Sequence, residues 1–465
     1  MRKTKIIATI GPSCMDYDVL KAMVAVGVNV VRINLSHAKL RDMNEIVANV
    51  KKIRKELKVP LPIMIDTRGP EIRVKTFKGG SADIQKGQKF IFTTNPIEGN
   101  NLAVSINEPS IIKNVDKSNK ILACDGLLTF DILEVTDTEI ITKAKNSGTI
   151  SNNKSLCIPG VDFSTRYLNN LDKQDILWAI QNKVELIAAS FVNGKEDVNS
   201  LKRFIAKNGG DMKIISKIES QRGIQNIDEI VAASDGVMVA RGDLGVELPI
   251  EVLPELQKMI IKKCVMAGKT VITATEMLES MIENSRPTRA EVSDIANAIY
   301  DGTSCVMLSG ETARGKHPVE SVRTMTKVCL VTEKFATYAE FSKVDKATYD
   351  PISHAVVSAS TLPDIKAIVS FTNSGTTAGL ISRFRPKVPI VALTPNDLVY
   401  KQMEVRWGIV PVLTKTFETT DDMFKMAANV AKKIGVAKSK DKILVTCGEM
   451  YENETTNTIK IIEIK

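Results

Sequence analysis

MKIISKIESQRGIQNIDEIVAASDGVMVARGD, residues 212–243, is the stretch of sequence that decides the fold. It contains two short apolar runs, MKIISKI and GVMVA, and the residues between them have the 3.6-residue periodicity of an amphipathic helix. Each run ends in charged residues: Lys217 and Glu219 at the first end, Arg241 and Asp243 at the second. An ordinary strand end would be closed by turn residues such as Asn-Gly or Pro. The pattern therefore predicts a buried strand, a helix and a second buried strand, with charged side chains at the end of each strand.

The same alternation recurs along the chain, and one intervening stretch opens with Thr288 and Glu291 at the spacing of a capping box. Another helical stretch covers residues 173–183. Strand and helix alternating eight times is the pattern of a parallel (β/α)8 TIM barrel, an α/β fold. The eight predicted strands are KIIATI, VNVVRI, LPIMID, VELIAAS, MKIISKI, GVMVA, TVITAT and SCVMLS.

The interval between the third and fourth strands is too long for a loop of about 2–6 residues. It is rich in Gly, Asn and Thr, and it contains short alternating runs such as QKFIFTT, which predict small strands. We expect an inserted all-β lid domain here. A second α/β pattern follows near the carboxyl end, with AIVSF, PIVALT, IVPVL and KILVTC as strands. The predicted division is a barrel of residues 1–69 and 157–340, a lid of 70–156 and a C-terminal α/β domain of 341–465.

Composition limits the classes of partner. The 465 residues are 43% hydrophobic and 25% charged, and no apolar run approaches the roughly 18–20 residues of a membrane span. The start, MRKTKIIATIGPS, predicts a strand and a turn rather than a signal peptide, so we expect a cytoplasmic protein. The seven cysteines include no Cys-x-x-Cys pair, which favours reduced thiols. A net charge of +9 suits anionic partners, but with 5% aromatic residues neither nucleic acid nor membrane binding is expected.

Polar residues gather where the predicted strands end, often two apart, and residues two apart on a strand share a face. In a parallel barrel the carboxyl ends of all strands form one rim, which is where such barrels keep their chemistry. The residues concerned are Arg32, Asn34 and Ser36, Lys217 and Glu219, Arg241 and Asp243, Thr273 and Thr275, and Ser309.

Glu219 and Asp243 end consecutive strands, so their carboxylates could meet on one ion. Oxygen ligands without a supporting histidine suit Mg²⁺ or Mn²⁺ rather than zinc. The alternative is that Glu219 only pairs with Lys217 and that Asp243 caps a helix.

Two roles are possible for Lys217: a Schiff-base nucleophile, or a positive charge for a transferring phosphoryl group.

A second set of oxygen donors carries little charge. It suits a monovalent cation, or else ordinary hydrogen bonding at strand ends. The set consists of Asn34, Ser36, Asp66 and Thr67. The stretch GETARGKH resembles a phosphate loop, but His317 stands where the Ser or Thr should be, so a strand-to-helix connection is the better interpretation.

The order and spacing of eight motifs resemble the pyruvate kinase family over the whole chain. The motifs are TIGPS, VRINLSH, IDTRGPEIR, SKIES, VARGDLGVE, TATEMLESM, RPTRAEVSDIANA and MLSGETARGKHP. The resemblance implies transfer of the phosphoryl group of phosphoenolpyruvate to ADP, giving pyruvate and ATP in the last step of glycolysis. It also implies a homotetramer.

The same resemblance implies roles for the rim residues. Glu219 and Asp243 would hold Mg²⁺, while Lys217 and Arg32 would neutralise charge on the phosphoryl group. The backbone amides of Gly242 and Asp243 would receive the substrate carboxylate together with Thr275. The proton that enolpyruvate needs would come from Thr275, Ser309 or water.

The resemblance further implies a K⁺ site and a nucleotide site. Glu71 matches the potassium-dependent branch of the family, and Asp125 in the lid would meet Arg32 on closure, which would exclude water from the phosphoryl group. The K⁺ ligands would be Asn34, Ser36, Asp66 and Thr67, and the nucleotide would lie against His37, Arg73, Lys154 and Asn34.

Several positions depart from the family pattern or concern regulation. Glu276 replaces a usual Gln and could alter a subunit contact, whereas Cys124 and the stretch from Lys154 to Cys157 touch the nucleotide side. A loop rich in amides and hydroxyls resembles the cradle for a sugar-phosphate effector; it consists of Thr372, Asn373, Ser374, Gly375, Thr376 and Thr377. The last loop carries Glu449, Glu452 and Glu454 and offers no Arg for a second phosphate, so an effector site is left open.

Overall fold

The computed structural model describes residues 1–161, 167–338, 341, 351–417, 419–448 and 456–465. Eight parallel strands close into a barrel. Each barrel strand pairs with the barrel strands before and after it in the chain, and the eighth pairs with the first. With strands numbered along the chain, these are β1 (Lys5–Thr9), β2 (Val30–Asn34), β3 (Ile63–Asp66), β13 (Leu186–Ala189), β14 (Lys213–Ile218), β15 (Gly236–Ala240), β16 (Thr270–Ala274) and β17 (Cys305–Leu308). The predicted barrel is confirmed.

Helices surround the barrel, and their apolar faces pack on its outer surface in one large hydrophobic cluster. Thr288 and Glu291 form the predicted capping box at the start of α9. The helices are α1 (Tyr17–Val26), α2 (Leu40–Leu57), α3 (Asn170–Gln181), α4 (Lys195–Lys207), α5 (Gln221–Gln225), α6 (Ile227–Ala233), α7 (Arg241–Glu247), α8 (Leu253–Met266), α9 (Arg289–Tyr300), α10 (Gly310–Ala313) and α11 (Pro318–Thr332).

The insert after β3 is built from β-strands around its own apolar core, in which Phe90, Phe92 and Phe130 contact one another edge to face or tilted. A seven-stranded sheet has the order β4, β12, β8, β9, β10, β6, β7, and β11 pairs with β5. The strands are β4 (Ile72–Arg73), β5 (Ser81–Ile84), β6 (Lys89–Thr93), β7 (Ala103–Ser105), β8 (Lys120–Ala123), β9 (Leu128–Val135), β10 (Glu139–Ala144), β11 (Gly148–Ser151) and β12 (Ser155–Cys157).

The C-terminal α/β unit has a five-stranded sheet of order β20, β19, β18, β21, β22, in which only the last pair is antiparallel. The strand β22 was not among the sequence predictions. The elements are β18 (Ile365–Phe371), β19 (Ile390–Thr394), β20 (Ile409–Leu413), β21 (Lys442–Gly448) and β22 (Thr456–Glu463), with helices α12 (Pro351–Ala359), α13 (Thr376–Arg383), α14 (Asp397–Gln402) and α15 (Thr420–Lys433).

This unit docks on the amino ends of the barrel strands, opposite the charged rim. Val405 joins the cluster of side chains inside the barrel, and its carbonyl accepts a hydrogen bond from the Cys305 thiol at 3.0 Å. Lys5 forms a buried ion pair with Glu404 at 3.2 Å. The carboxyl rim is therefore left to the β insert.

The predicted domain boundaries stay predictions. The strand β12 runs one residue past the predicted end of the lid at residue 156. Phe341, the first residue of the predicted C-terminal domain, packs in the hydrophobic cluster of the barrel. All seven cysteines are free thiols. No helix in the described ranges has the length and apolar character needed to cross a membrane.

Candidate active site

Lys217 lies at the centre of the carboxyl rim and is held by three oxygens. Its Nζ lies 3.0 Å from Asp66 Oδ1, 2.8 Å from Ser190 Oγ and 2.7 Å from Glu219 Oε1. Burial acts to lower the pKa of this ammonium, but the negative charges of Asp66 and Glu219 outweigh it, so the pKa is raised above the ordinary lysine value. Lys217 is thus a fixed positive charge.

Arg32 is a second buried cation on the same rim, and all three of its guanidinium nitrogens are engaged. Its Nε donates to Asp66 Oδ2 at 2.7 Å, its Nη2 lies 2.5 Å from the same oxygen, and its Nη1 donates to Thr9 Oγ1 at 2.7 Å. The Thr9 hydroxyl donates onward to the carbonyl of Leu308 at 2.9 Å. The guanidinium is therefore oriented before any substrate arrives.

Asp66 joins the two cations, one carboxylate oxygen facing each. Burial acts to raise its pKa, but Arg32 and Lys217 together hold it below the usual range. Asp66 is thus an ionised bridge, and the cost of burying three charges is reduced because each has a partner.

The four predicted K⁺ ligands lie near one another at the ends of β2 and β3, where Asn34 is the register partner of Asp66. The side-chain oxygens of Asn34, Asp66 and Thr67 already have protein partners. The Asn34 Oδ1 accepts from the backbone N–H of Ser36 at 3.0 Å, and the Thr67 Oγ1 accepts from the N–H of Ser190 at 3.0 Å. The rival interpretation, hydrogen bonding at strand ends, describes these contacts.

Glu219 and Asp243 line one cavity of about 790 Å³ between the barrel rim and the β insert. Glu219 is buried, and its Oε2 accepts from the N–H of Phe191 at 2.6 Å. Burial raises the pKa of Glu219, Asp243 adds to the increase, and Lys217 opposes it. A carboxylate whose charge is disfavoured in this way would gain from a further cation.

Within the described ranges no group of three or more His, Cys, Asp or Glu side chains is gathered as a metal site. The pair Glu219 and Asp243 still fits Mg²⁺, because this ion is commonly held by one or two carboxylates together with water and substrate oxygens. Glu71 also lines the cavity, and burial raises its pKa although Arg73 opposes the increase.

Thr275 closes the end of β16 in a left-handed conformation, with φ of 65°. Its Oγ1 accepts from the N–H of Gly242 at 2.9 Å, so this amide, expected to bind a substrate carboxylate, has a protein partner. Arg241, from the opening stretch, does not face a ligand: it forms an ion pair with Asp294 at 2.7 Å and donates to the carbonyl of Thr275 at 2.5 Å. Its charge fixes the strand ends of β15 and β16 to helix α9.

Ser309 ends β17, and its Oγ is buried with no hydrogen-bond partner among the described residues. The backbone N–H of Ser309 donates to Glu311 Oε2 at 2.7 Å, while Glu311 Oε1 accepts from the N–H of Leu278 at 2.9 Å. An unpaired buried hydroxyl is unusual, because leaving it unbonded costs about 1–3 kcal/mol. Substrate or water at the rim would satisfy it.

The predicted nucleotide residues do not line the large cavity; they form a cationic patch beside it. Burial lowers the pKa of His37, and the charges of Arg73, Arg32, Lys154 and Arg314 lower it further. Arg73 is itself paired with Glu71 at 2.5 Å. Three cations besides Arg32 therefore act on one imidazole, which suits a polyphosphate.

The lid residues named from the sequence make the following contacts, and the meeting of Asp125 with Arg32 on lid closure stays a prediction. Asp125 accepts from the Ser155 hydroxyl at 3.3 Å. Cys157 does not face the nucleotide patch: its thiol donates to Glu247 Oε1 of α7 at 3.2 Å. The Cys124 thiol points to the carbonyl of Thr149 at 3.7 Å, within the β insert.

The candidate effector loop connects β18 to α13. The Thr372 Oγ1 accepts from the N–H of Gly375 at 2.9 Å, and the hydroxyls of Ser374 and Thr376 are 2.8 Å apart. Asn373, Ser374 and Thr376 are exposed. The hydroxyl of Thr377 is bonded to Thr456 at 2.5 Å, whereas Glu449, Glu452 and Glu454 of the last loop lie outside the described residues.

Sequence reasoning missed two hydroxyls that hold the site together. Ser190 binds Lys217, contacts Asp66 Oδ1 at 3.1 Å and donates to the carbonyl of Thr67 at 2.7 Å; Thr9 binds Arg32. A signal for both was present, since VELIAAS and KIIATI carry these residues at predicted strand ends, the positions used to select the other rim residues.

A closed parallel barrel with buried cations and carboxylates on its rim, facing a β insert, defines a barrel enzyme acting on an anionic substrate. Comparison with known proteins narrows this class. Residues 1–322 match the family model described as pyruvate kinase, barrel domain, and residues 350–462 match pyruvate kinase, alpha/beta domain.

Curated relatives agree along the whole chain. The chain is 39% identical to the pyruvate kinase of Clostridium acetobutylicum over 99% of both chains, and 38% identical to that of Thermotoga maritima over 100% of both. It resembles the crystal structure of a pyruvate kinase from Cryptosporidium parvum with a TM-score of 0.94 and 35% identity, covering 100% of this chain and 96% of that one. The chain belongs to the pyruvate kinase family and is a phosphotransferase. The family and fold class predicted from the sequence are confirmed.

Proposed function

We propose that this chain transfers the phosphoryl group of phosphoenolpyruvate to ADP, giving pyruvate and ATP. The observation that carries the proposal is the pair of buried cations, Arg32 and Lys217, fixed by the shared carboxylate of Asp66 beside a cavity of about 790 Å³ that Glu219 lines. Phosphoryl transfer asks the protein mainly for positioning and charge stabilisation. A rim with its cations already oriented supplies both.

The proposed roles are those that the family resemblance implies, and the position of these residues on the rim supports them. Lys217 faces the phosphoryl group and the developing enolate oxygen, and Arg32 holds the phosphoryl oxygens. Glu219 and Asp243 would hold Mg²⁺, or Mn²⁺ in its place, which when bound neutralises phosphoryl charge. Thr275 and the amides of Gly242 and Asp243 hold the substrate carboxylate, which requires the N–H of Gly242 to exchange the Thr275 hydroxyl for the ligand.

The second half of the reaction protonates enolpyruvate at carbon. Ser309 is supported as a contributor because its hydroxyl is buried and has no partner among the described residues, so it is available to a ligand or an ordered water. Thr275 remains an alternative donor, but its hydroxyl already donates to the carbonyl of Ala274 at 2.6 Å.

The nucleotide lies against His37, Arg73, Lys154 and Asn34. The cations that lower the pKa of His37 would be neutralised by the phosphates of ADP, so nucleotide binding relieves their mutual repulsion. Closure of the insert over the rim would exclude water and so protect the phosphoryl group from hydrolysis.

A Schiff-base mechanism at Lys217 is disfavoured. A lysine nucleophile must lose its proton, and enzymes achieve this by lowering its pKa. Here Asp66 and Glu219 raise the pKa of Lys217, so the ammonium is kept charged. This favours a phosphoryl-transfer enzyme over an aldolase or lyase on the same barrel.

The first experiment measures pyruvate formation from phosphoenolpyruvate with Mg²⁺ and K⁺ present, with and without ADP. Pyruvate that depends on ADP supports the kinase reaction. Pyruvate released without ADP indicates a phosphatase or lyase, and no pyruvate in either sample contradicts the proposal.

Ion dependence is tested separately. We expect activation by K⁺ at the site of Asn34, Ser36, Asp66 and Thr67, with Glu71 as the supporting feature. Replacing K⁺ by a tetraalkylammonium salt at equal ionic strength should reduce the rate. Chelation of the divalent ion should abolish it, and an unchanged rate in either case contradicts the corresponding site.

The proposal also covers where the reaction takes place, the oligomeric state and regulation by an effector. We place the reaction at the last step of glycolysis in the cytoplasm, and we expect a homotetramer, which light scattering tests. The loop of residues 372–377, with exposed hydroxyls and amides, is a candidate for a sugar-phosphate effector. A saturation curve for phosphoenolpyruvate that fructose bisphosphate leaves unchanged contradicts that role.

A further inference from the structure

A basic cleft lies between the amino end of the barrel and the C-terminal unit, on the opposite side of the barrel from the candidate active site. Lys269 and Ser304 line it from the barrel, and Arg385, Arg406 and Trp407 line it from the C-terminal unit. The cavity measures about 10 Å³, which leaves space for about one water molecule. Side chains distant in the chain thus bring several cations to one place.

Arg406 is a partly buried cation that lines this cleft. Its guanidinium lies over Gly379 of α13, so closely that a methyl group at position 379 would stand 1.8 Å from its Nη1. Within the described ranges no hydrogen bond or ion pair joins this guanidinium to an acceptor. Burial lowers the pKa of Arg406, and the charge that opposes this is that of Asp235.

Asp235 is a poor counter-ion for the cleft because it has other partners. Its carboxylate lies 3.7 Å from Lys213 Nζ and accepts from the N–H of Ile214 at 2.9 Å. Burial lowers the pKa of Lys269, and the charge of Asp235 acts to raise it. The Nζ of Lys269 donates to the carbonyl of Ser234 at 2.6 Å. The carboxylate of Asp235 is therefore shared by three cations, Lys213, Lys269 and Arg406.

Buried donors in the cleft also lack acceptors. The Nε of Arg385 and the Nε1 of Trp407 are buried N–H groups without a hydrogen-bond partner among the described residues. The Nη2 of Arg385 donates to the carbonyl of Gly302 at 2.7 Å and to Ser304 Oγ at 3.2 Å, and burial lowers the pKa of Arg385 to about 10. Buried polar groups without a partner in a folded protein commonly mark a missing water or ion.

We infer that this cleft binds a small inorganic oxyanion such as phosphate between Arg406, Lys269 and Arg385. An oxyanion supplies what the cleft lacks, namely negative charge and several acceptor oxygens, and guanidinium groups bind oxyanions through paired N–H donors. The space for one water molecule is too small for phosphate with Arg406 in place. Because no hydrogen bond or ion pair holds the Arg406 guanidinium among the described residues, we expect it to move aside to admit the ion and then to bind it.

The test counts phosphate sites by equilibrium dialysis of the full chain with radiolabelled inorganic phosphate. The variant Arg406→Gln removes one donor group from the cleft, and Arg203→Gln, on the exposed face of α4, makes the same change in charge elsewhere. We expect Arg406→Gln to bind one phosphate fewer per chain than the wild type and Arg203→Gln to bind the same number. Equal numbers for all three proteins, or no phosphate bound by the wild type, overturn the inference.

A second measurement covers the case in which Arg406→Gln fails to fold. Phosphate should raise the midpoint of thermal unfolding of the wild type by several degrees, and Lys269→Gln should lose at least half of this shift. An undiminished shift in Lys269→Gln contradicts the site. Pyruvate formation by Arg406→Gln in phosphate-free buffer should equal that of the wild type, so loss of the cleft is distinguished from failure of the proposed function.

Discussion

Asp66 is the residue on which the rim depends, because its two carboxylate oxygens face two different cations. Arg32 and Lys217 come from β2 and β14, and Asp66 is the carboxylate that contacts both, while Glu219 contacts Lys217 as well. The hydroxyls of Thr9 and Ser190 complete the contacts of these cations. The positive charges are therefore oriented by buried groups, so little reorganisation is needed when a phosphoryl group binds.

Removing the charge of Lys217 tests this directly. We expect Lys217→Met to reduce kcat by about 10²–10³-fold, the usual effect of losing one preorganised donor to a transition state. Steady-state kinetics at saturating phosphoenolpyruvate and ADP measure it. The matched control is Lys213→Met on the same strand, whose Nζ pairs with Asp235 at the other end of the barrel and whose loss should leave kcat nearly unchanged. Similar losses in both variants contradict the assigned role.

His37 provides a test of the cationic patch through pH. Because burial and four cations lower its pKa, the imidazole should be neutral at pH 7. The unfolded chain takes up this proton first as pH falls, so His37 contributes stability above the ordinary histidine pKa that is lost as pH falls through the lowered value.

NMR titration of the histidine ring protons measures this pKa. We expect Arg73→Gln to raise the pKa of His37 towards its ordinary value, because one repelling charge is removed. A pKa of His37 that is the same in both proteins would show that Arg73 does not act on it.

At the scale of elements, helix α9 shows how a local motif also serves the tertiary structure. The hydroxyl of Thr288 accepts from the N–H of Glu291, and the carboxylate of Glu291 accepts from the N–H of Thr288 at 2.7 Å. The same carboxylate accepts from the N–H of Ser280 at 2.7 Å and from its hydroxyl at 2.6 Å. The capping box therefore also fixes the loop that follows β16 and carries Thr275.

Thr288→Ala should lower the free energy of unfolding by about 1 kcal/mol, the usual cost of losing an N-cap side chain. Chemical denaturation followed by circular dichroism measures the change. Thr288→Ser keeps the hydroxyl and is the matched control, for which we expect a change within about 0.5 kcal/mol. If the two variants lose the same stability, the hydroxyl is not the source of the effect.

At the scale of the whole molecule, the two ends of the barrel have different roles. The carboxyl rim carries the candidate active site, while the amino ends of the strands hold the C-terminal unit through Val405 and through the buried pair of Lys5 and Glu404. Lys5 also donates to the carbonyl of Ile409 at 2.7 Å. Motion of the C-terminal unit would thus act on the amino ends of the barrel strands, opposite the candidate active site.

Glu404→Leu should destabilise the chain by roughly 3 kcal/mol, because it leaves the ammonium of Lys5 buried without its counter-ion. The double variant Lys5→Met with Glu404→Leu should regain most of this loss, since well-packed apolar groups can replace a buried pair. Thermal and chemical denaturation of the three proteins measure both steps. A double variant no more stable than Glu404→Leu alone contradicts the argument.

The sequence by itself determined the barrel, the β insert, the family and the set of strand-end residues. The reason is that strand and helix periodicities are local, and that parallel strands bring all their carboxyl ends to one rim whatever the details of packing. Lys217, Glu219, Arg32 and Asp243 could be selected on that basis alone.

Only the tertiary structure decided which of these residues touch. Asp66, expected as a K⁺ ligand, bridges Arg32 and Lys217 because the closed barrel sets β2, β3, β13 and β14 side by side in a fixed register. Arg241, one of the charged strand-end residues of the opening stretch, pairs with Asp294 and does not line the large cavity. The basic cleft joins residues more than a hundred positions apart, from Lys269 to Arg406, and no local pattern encodes such a distance.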